Sequence, residues 1–185
     1  MDNNQLYIPV VLGTVRPGSN SAKVALVAQS AVERAGYETQ LVDLAQLNLP
    51  PMTNRADPSA EPWREIMRAA DGVVMVVPEY NHSYPGALKD AMDFLGVDEH
   101  KRKPVGICTV SSGAFGGARM AEHLVPLLVN FGLVPIKNIV HFREAGQLFD
   151  ASGQLLDEKW RERVDDLMAE LGWYARTLRY GRDNF

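Results

Sequence analysis

Short apolar runs alternate with longer amphipathic segments along most of the chain. The apolar runs are rich in Val, Ile and Leu and predict five strands, at 6–12, 39–44, 72–77, 105–110 and 134–140. The amphipathic segments predict five helices, at 21–34, 62–69, 85–94, 117–131 and 157–178. Proline at the first turn of the third helix, and glycine after several others, fit the usual helix boundaries.

This alternation predicts an α/β fold in which helices cover both faces of a parallel sheet. Right-handed crossovers would give a flavodoxin-like three-layer sandwich, whose five-stranded sheet has the order 2-1-3-4-5. The order follows from the fold class and not from any single residue. The chain has 185 residues, is 46% apolar, and contains no linker or repeat. We therefore expect a single domain over residues 1–185.

The amino-acid composition argues against several classes of function. The formal net charge of -4 argues against a general nucleic-acid-binding surface, which would be basic. Cys108 is the only cysteine, so neither an intrachain disulfide nor a cysteine metal cluster is expected. The first residues lack the pattern of a secretory signal, and no apolar run is long enough to cross a bilayer. These features predict a cytoplasmic protein with no membrane span.

The loop at 13–21 follows the first predicted strand and is suited to a phosphate. Its hydroxyl, guanidinium and amide groups belong to Thr14, Arg16, Ser19, Asn20 and Ser21. The helix that follows would direct free backbone N–H groups at the same point. The alternative is an ordinary polar turn. A triphosphate P-loop is disfavoured because Ser19 and Asn20 replace its Lys-Ser/Thr pair, and the Rossmann glycine pattern is absent.

A second loop follows the third strand, which neighbours the first in the proposed sheet. Pro78, Glu79, Tyr80 and Asn81 would lie beside the phosphate loop and offer an aromatic face and an amide to a flat, polar-edged ligand. Together the two loops indicate a flavin nucleotide at the carboxyl edge of the sheet. The alternative is a connection shaped only by its prolines. A metal site at Glu79 and His82 is disfavoured because no further His or Cys lies nearby.

The third loop, at 109–117, is rich in small residues that let backbone approach a ligand. Ser111 and Gly113 are its candidate contacts. A serine hydrolase is disfavoured because neither Ser111 nor Ser112 lies in a Gly-x-Ser-x-Gly motif. Cys108 lies in an apolar run and is expected to be a packing residue, with no part in redox chemistry.

These motifs resemble the NAD(P)H-dependent FMN reductases, which include quinone, chromate and azo-compound reductases. The resemblance extends from the first strand to about residue 132. Its most specific element is the sequence Pro-Glu-Tyr-Asn-x-Ser-x-Pro-Gly-x-Leu-Lys at 78–89, and Gly-Thr-x-Arg-x-x-Ser at 13–19 is similar to the family's phosphate loop. The resemblance implies that Thr14, Arg16, Ser19 and Asn20 or Ser21 bind the FMN phosphate. It also implies that 78–81, with Ser111 and Gly113, surround the ribityl chain and ring.

The resemblance implies a ping-pong enzyme in which NADPH or NADH reduces FMN, which then reduces a small-molecule acceptor such as a quinone or a flavin. No catalytic side chain is then required. A flavodoxin-like electron carrier and a flavin-bound redox sensor are the alternatives. The resemblance further implies a homodimer or homotetramer. Leu88, Met92 and Leu95 recur at helical spacing and predict either a subunit interface or a core-facing stripe. The segment 179–185 has no assigned role.

Overall fold

The computed structural model of the chain describes residues 5–185 and contains one parallel sheet covered on both faces by helices. The strands are β1 Val10–Leu12, β2 Leu41–Asp43, β3 Val73–Pro78, β4 Pro104–Val110 and β5 Val134–Phe142. The helices are α1 Asn20–Arg34, α2 Glu61–Ala69, α3 Gly86–Asp93, α4 Val97–His100, α5 Ala118–Asn130 and α6 Lys159–Asn184. All strand pairs are parallel and the order is β2-β1-β3-β4-β5. The predicted flavodoxin-like topology is confirmed.

Strands β3 and β4 are buried along their whole length, as their unbroken apolar sequences predict. Val74 and Val76 contribute to the core on one face, against α1 and α6. Val73 and Met75 contribute to the core on the other face, against α2, α3 and α5. Because successive side chains of a strand point to opposite faces of the sheet, alternate residues of β3 belong to two different cores, and the sheet lies between them.

The first strand is shorter than predicted because of Pro9. The chain does pair on both sides of it, since Ile8 donates a backbone hydrogen bond to Glu38 and Val10 donates one to Gln40. Proline has no N–H group, so the ladder is interrupted there and the continuous strand begins at Val10. The carboxyl end of the strand, which leads to the first loop, is unaffected.

Helix α3 packs its apolar side against the sheet. Leu88, Met92 and Leu95 are fully buried in the core on that side of the sheet. Of the two predictions for this stripe, the core-facing one is correct, and the subunit-interface prediction is wrong for these three side chains. The helical period identified the apolar face but not its partner.

The last helix is longer than predicted, running to Asn184. Arg179 and Arg182 in its final turns contact the carboxylate of Asp71, which precedes β3, at 3.2 and 3.5 Å. The segment after 178 is therefore a continuation of α6 held against the amino end of the sheet. In residues 5–185, no helix is long and apolar enough to span a membrane.

Two glycines in α6 provide a matched test of how this helix packs. A Cβ at Gly172 would lie 2.0 Å from the hydroxyl oxygen of Tyr37 and 2.7 Å from its Cζ, whereas one at Gly181 would meet nothing within 4 Å. We expect Gly172→Ala to lower the free energy of unfolding by about 1–3 kcal/mol through overpacking. Gly181→Ala should leave it unchanged or raise it by up to about 1 kcal/mol, because alanine favours helix. Urea unfolding of both variants measures the difference, and equal effects would contradict this packing.

Candidate functional site

Three loops meet at the carboxyl edge of the sheet and form a cleft of about 270 Å³. They follow β1, β3 and β4, and the segment after β5 closes one side. The residues that line the cleft are Arg16, Gly18, Ser19, Asn20, Ser21, Pro78, Glu79, Tyr80, Val110, Ser111, Ser112 and Ala145. This position is the one at which open α/β sheets bind ligands, where the strand order reverses around β1 and β3.

The first loop is held tightly at its start. Gly13 donates its backbone N–H to Val76 on β3, and a Cβ at this position would approach within 3.1 to 3.3 Å of Val77 and Leu88. The next residue, Thr14, is buried, and its hydroxyl oxygen accepts the backbone N–H of Arg16. The start of the loop is therefore fixed by hydrogen bonds and close packing.

The end of the same loop presents the amino terminus of α1 to the cleft. Ser19 is the N-cap residue, but its side chain makes no capping hydrogen bond. Its Oγ is buried, and no group within residues 5–185 is hydrogen-bonded to it. The first turn of α1 contains no acidic residue. An unpaired hydroxyl and free helical N–H groups at the positive end of a helix are suited to an anion.

The second loop begins with a tight turn at Tyr80 to Ser83. The two residues exchange backbone hydrogen bonds of 2.8 and 3.0 Å, and Asn81 and His82 between them have φ values of 50° and 69°. This is the type I′ pattern, which asparagine tolerates better than most residues. Asn81 thus has a backbone role that its side-chain chemistry alone did not predict.

Tyr80 joins the second loop to the first. Its hydroxyl group is hydrogen-bonded to that of Thr14 at 2.8 Å, and the Cζ of Arg16 lies 4.3 Å from the centre of its ring. The cation–π contact holds the guanidinium at the edge of the cleft without using its N–H donors. The two loops therefore form one wall.

Glu79 lies between the ends of β3 and β4. Its backbone N–H donates to Val110, and its carboxylate Oε1 accepts from Arg119 on α5 at 2.7 and 3.1 Å. The side chain of Glu79 is only 5% exposed, whereas that of Arg119 is 48% exposed. Sequence reasoning missed Arg119, because the partners are separated by 40 positions in the sequence and no local pattern links them.

A buried threonine near the end of β4 holds the third loop in place. Thr109 donates its hydroxyl proton to the carbonyl of Gly116 at 2.5 Å. Its oxygen also lies 2.7 Å from Nδ1 of His141, and since the threonine proton is already used, this ring nitrogen must be the donor. Burial lowers the pKa of His141, which favours the neutral ring. His141 therefore supports the loop as a structural residue.

Backbone hydrogen bonds also tie the third loop to the segment after β5. Ser111 donates its N–H to Phe142 and accepts the N–H of Ala145. The hydroxyl oxygen of Ser111 accepts the N–H of Gly113. Ala145 lines the cleft beside Ser111, and its sequence context carried no signal that could have identified it.

Eight of the eleven predicted site residues line the cleft itself: Arg16, Ser19, Asn20, Ser21, Pro78, Glu79, Tyr80 and Ser111. The other three are not part of the lining but adjoin residues that are. Thr14 supports Tyr80, Asn81 forms the type I′ turn, and Gly113 contacts the side chain of Ser111. The structure thus brings together residues that lie on three separate loops in the sequence.

In residues 5–185, neither Cys108 nor any cluster of metal-ligating side chains forms a second reactive site. Cys108 is fully buried, and burial raises the pKa of its thiol to about 12, so the thiol stays protonated at neutral pH. In the part of the chain from residue 5 onward, no three His, Cys, Asp or Glu side chains are grouped closely enough to hold a metal ion.

A second groove of about 350 Å³ lies on the other side of the first loop. Its lining includes Val15, Leu44, Leu49 and Asp90. The groove contains no basic side chain, and the carboxylate of Asp90 would repel an anion. It is therefore a poorer site for a phosphate than the cleft.

Comparison with known proteins matches this architecture to one family. Residues 6–147 match the family model of the NADPH-dependent FMN reductases. An NAD(P)H-dependent FMN reductase of Pseudomonas aeruginosa is 35% identical over 180 residues, which cover 91% of this chain and 95% of the relative. A quinone reductase of Escherichia coli is 36% identical over 134 residues, covering 69% of this chain and 71% of the relative.

Solved structures agree on the fold. A flavoenzyme NAD(P)H:(acceptor) oxidoreductase from Paracoccus denitrificans has a TM-score of 0.76 at 24% identity, with 95% of this chain and 98% of that chain covered. An NADH:FMN oxidoreductase has a TM-score of 0.74 at 19% identity, with 90% of each chain covered. The resemblance derived from the loop motifs is confirmed, together with its expectation of an FMN- and NAD(P)H-using enzyme. The chain belongs to the NADPH-dependent FMN reductase family.

Proposed function

We propose that the cleft binds FMN and that the protein uses it to transfer electrons from NAD(P)H to small acceptors such as quinones or flavins. The observation that carries this proposal is the buried, unpaired Oγ of Ser19 at the amino terminus of α1. A buried polar atom without a partner costs free energy, and a bound phosphate would supply the acceptor that it lacks. The hydroxyl, amide and guanidinium groups of the loop support the same proposal.

The phosphate would be held by the amino end of α1 and by the loop before it. Ser19, Asn20 and Ser21 offer hydroxyl and amide donors, and their backbone lies at the positive end of the helix dipole. Arg16 lines the same cleft and carries a permanent positive charge that can form two hydrogen bonds with a phosphate. Thr14 supports this wall through its contact with Tyr80.

The ring and ribityl chain would lie along the second and third loops. Pro78, Glu79 and Tyr80 form one side of the cleft, and Ser111 forms the other. Asn81 shapes the first of these loops and Gly113 the second, through the turn and the hydrogen bond described above. Both loops are fixed by backbone hydrogen bonds to strands, so the cleft is organised before a ligand enters.

FMN, when bound, supplies the electron chemistry by accepting a hydride from NAD(P)H and passing two electrons to an acceptor. The work of this chain is to bind the phosphate, orient the ring and leave one side of it open. Donor and acceptor would use that open side in turn, which gives ping-pong kinetics. No protein nucleophile is needed, and the protonated thiol of Cys108 lies outside the cleft lining.

We further propose that residues 1–185 act as one FMN-binding domain that assembles as a homodimer or homotetramer. Val15 and Phe115 lie on the first and third loops and are 48% and 68% exposed. An exposed apolar patch on a protein surface can mark an interface, and we expect a second subunit to cover these two side chains. A cytoplasmic location remains a prediction from the sequence.

Anaerobic spectroscopy tests the proposed function. The purified protein, reconstituted with FMN, should lose its yellow absorbance on addition of NADPH or NADH and regain it when a quinone is added. The nucleotide that acts faster identifies the preferred donor. If FMN binds but neither nucleotide bleaches it, the reductase proposal is wrong and an electron carrier or redox sensor is favoured.

Replacing Arg16 tests the phosphate site separately. We expect Arg16→Ala to weaken FMN binding by about 10- to 100-fold, because a charge-assisted hydrogen bond to the phosphate is lost. Riboflavin lacks the phosphate, so its affinity should change much less. The dissociation constants of both ligands, measured by fluorescence quenching, give the comparison.

The matched control is Arg161→Ala, because Arg161 is a partly exposed arginine on α6 that pairs with Glu158 and does not line the cleft. It should bind both ligands as the unmodified protein does. An Arg16→Ala protein that still prefers FMN over riboflavin to the original extent would contradict the phosphate assignment.

A further inference from the structure

The Glu79 carboxylate has one satisfied oxygen and one unsatisfied oxygen. Oε1 accepts two hydrogen bonds from Arg119. Oε2 is buried, and no group in the described chain, residues 5–185, donates to it. The side chain as a whole is only 5% exposed, so bulk water does not solvate the free oxygen well.

In the protein without a ligand, this buried and unpaired oxygen lowers the stability of the folded state. A buried carboxylate oxygen loses its hydration and gains nothing in return unless a donor replaces the water. The fold holds Glu79 there firmly, because its backbone N–H is bonded to Val110 and its neighbour Pro78 is paired with the same residue in the sheet. A side chain that is unsatisfied within its own fold, and that lines a ligand cleft, points to a donor on the ligand.

We infer that Oε2 of Glu79 accepts a hydrogen bond from bound FMN, and that Arg119 is the residue that positions Glu79 for it. This inference rests on the proposed function of the cleft. FMN offers two kinds of donor to a carboxylate: the imide N–H of its oxidised ring and the hydroxyl groups of its ribityl chain. Both are hydrogen-bond donors, and a donor is what the unpaired oxygen of Glu79 requires.

Arg119 has a second effect through its charge. It is bonded to Oε1 and stands with its Cζ 5.3 Å from the ring centre of Phe115, so it links α5 and the third loop to Glu79. Its guanidinium offsets the negative charge that Glu79 brings to the cleft. The balance between the two charges sets how readily the bound flavin accepts electrons, because nearby charge tunes a flavin's potential.

Glu79→Gln tests the hydrogen bond with little change of shape. The glutamine oxygen can still accept from Arg119, but its NH₂ group then faces the ligand donor, so the hydrogen bond is replaced by a repulsive contact. We expect FMN to bind at least tenfold more weakly to this variant. The thermal midpoint of the variant without FMN serves as the folding control. Unchanged or tighter FMN binding would overturn the inference.

A modified flavin distinguishes the two donors. In 3-methyl-FMN the imide proton is replaced by a methyl group, whereas the ribityl hydroxyls are intact. If the unmodified protein binds this analogue at least tenfold more weakly than FMN and Glu79→Gln does not discriminate, the donor is the imide. If the unmodified protein binds both flavins equally while Glu79→Gln is still impaired, the donor is a ribityl hydroxyl.

The reduction potential separates positioning by Arg119 from a merely structural role. Arg119→Gln leaves the charge of Glu79 uncompensated, so the potential of bound FMN should fall, whereas Glu79→Gln should raise it. A tenfold change in the ratio of affinities for reduced and oxidised FMN corresponds to about 30 mV for a two-electron couple. Arg119→Lys should restore most of the lost potential because it restores the charge.

A double variant completes the test. If Arg119 positions Glu79, adding Arg119→Gln to Glu79→Gln should weaken FMN binding little further. The potential of the double variant should return towards that of the unmodified protein, because both charges are removed. Additive losses of FMN affinity, or shifts of potential with the same sign in both single variants, would overturn the positioning role. Failure of the unmodified protein to bind FMN would instead refute the proposed function, which distinguishes the two failures.

Discussion

The parallel pairing of β1 with β3 and of β3 with β4 determines where the three loops of the cleft lie. In a parallel sheet the carboxyl ends of neighbouring strands lie side by side, so residues near 14, 80 and 111 meet although they are far apart in the sequence. The pairing is strong because both faces of β3 and β4 are buried in separate cores. Slippage of one residue would exchange these faces, so the register of the strands also fixes the positions of the loops.

The sheet determines where the loops lie, and polar contacts then join these loops to one another and to α5. The hydroxyl pair of Thr14 and Tyr80 joins the first loop to the second, and the ion pair of Glu79 and Arg119 joins the second loop to α5. Thr109 holds the third loop from within β4. The contacts of Thr14 and Thr109 are partly buried or buried, and the carboxylate of Glu79 is buried although Arg119 is exposed. Hydrogen bonds are strong and unpaired groups are costly at such buried atoms. The cleft is therefore organised by the protein itself, and the few polar atoms left unpaired in it indicate where a ligand contributes.

Much of this arrangement could be predicted from the sequence, because the signals are local. Runs of β-branched residues identified the strands, and the loops at their ends identified most of the cleft. What could not be predicted depends on partners distant in the chain. Three features depend on tertiary packing: the pairing of Glu79 with Arg119, the contact between Asp71 and the last turns of α6, and the burial of the apolar side of α3. Pro9 was visible in the sequence, but its interruption of β1 was overlooked.

A crystal structure of the protein with FMN tests the central claim most directly. The account predicts electron density for the flavin in the cleft at the carboxyl edge of the sheet. Its phosphate should lie at the first turn of α1, with one oxygen about 3 Å from Oγ of Ser19. Flavin density in the neighbouring groove, beside Val15 and Asp90, or a phosphate away from α1, would contradict the account.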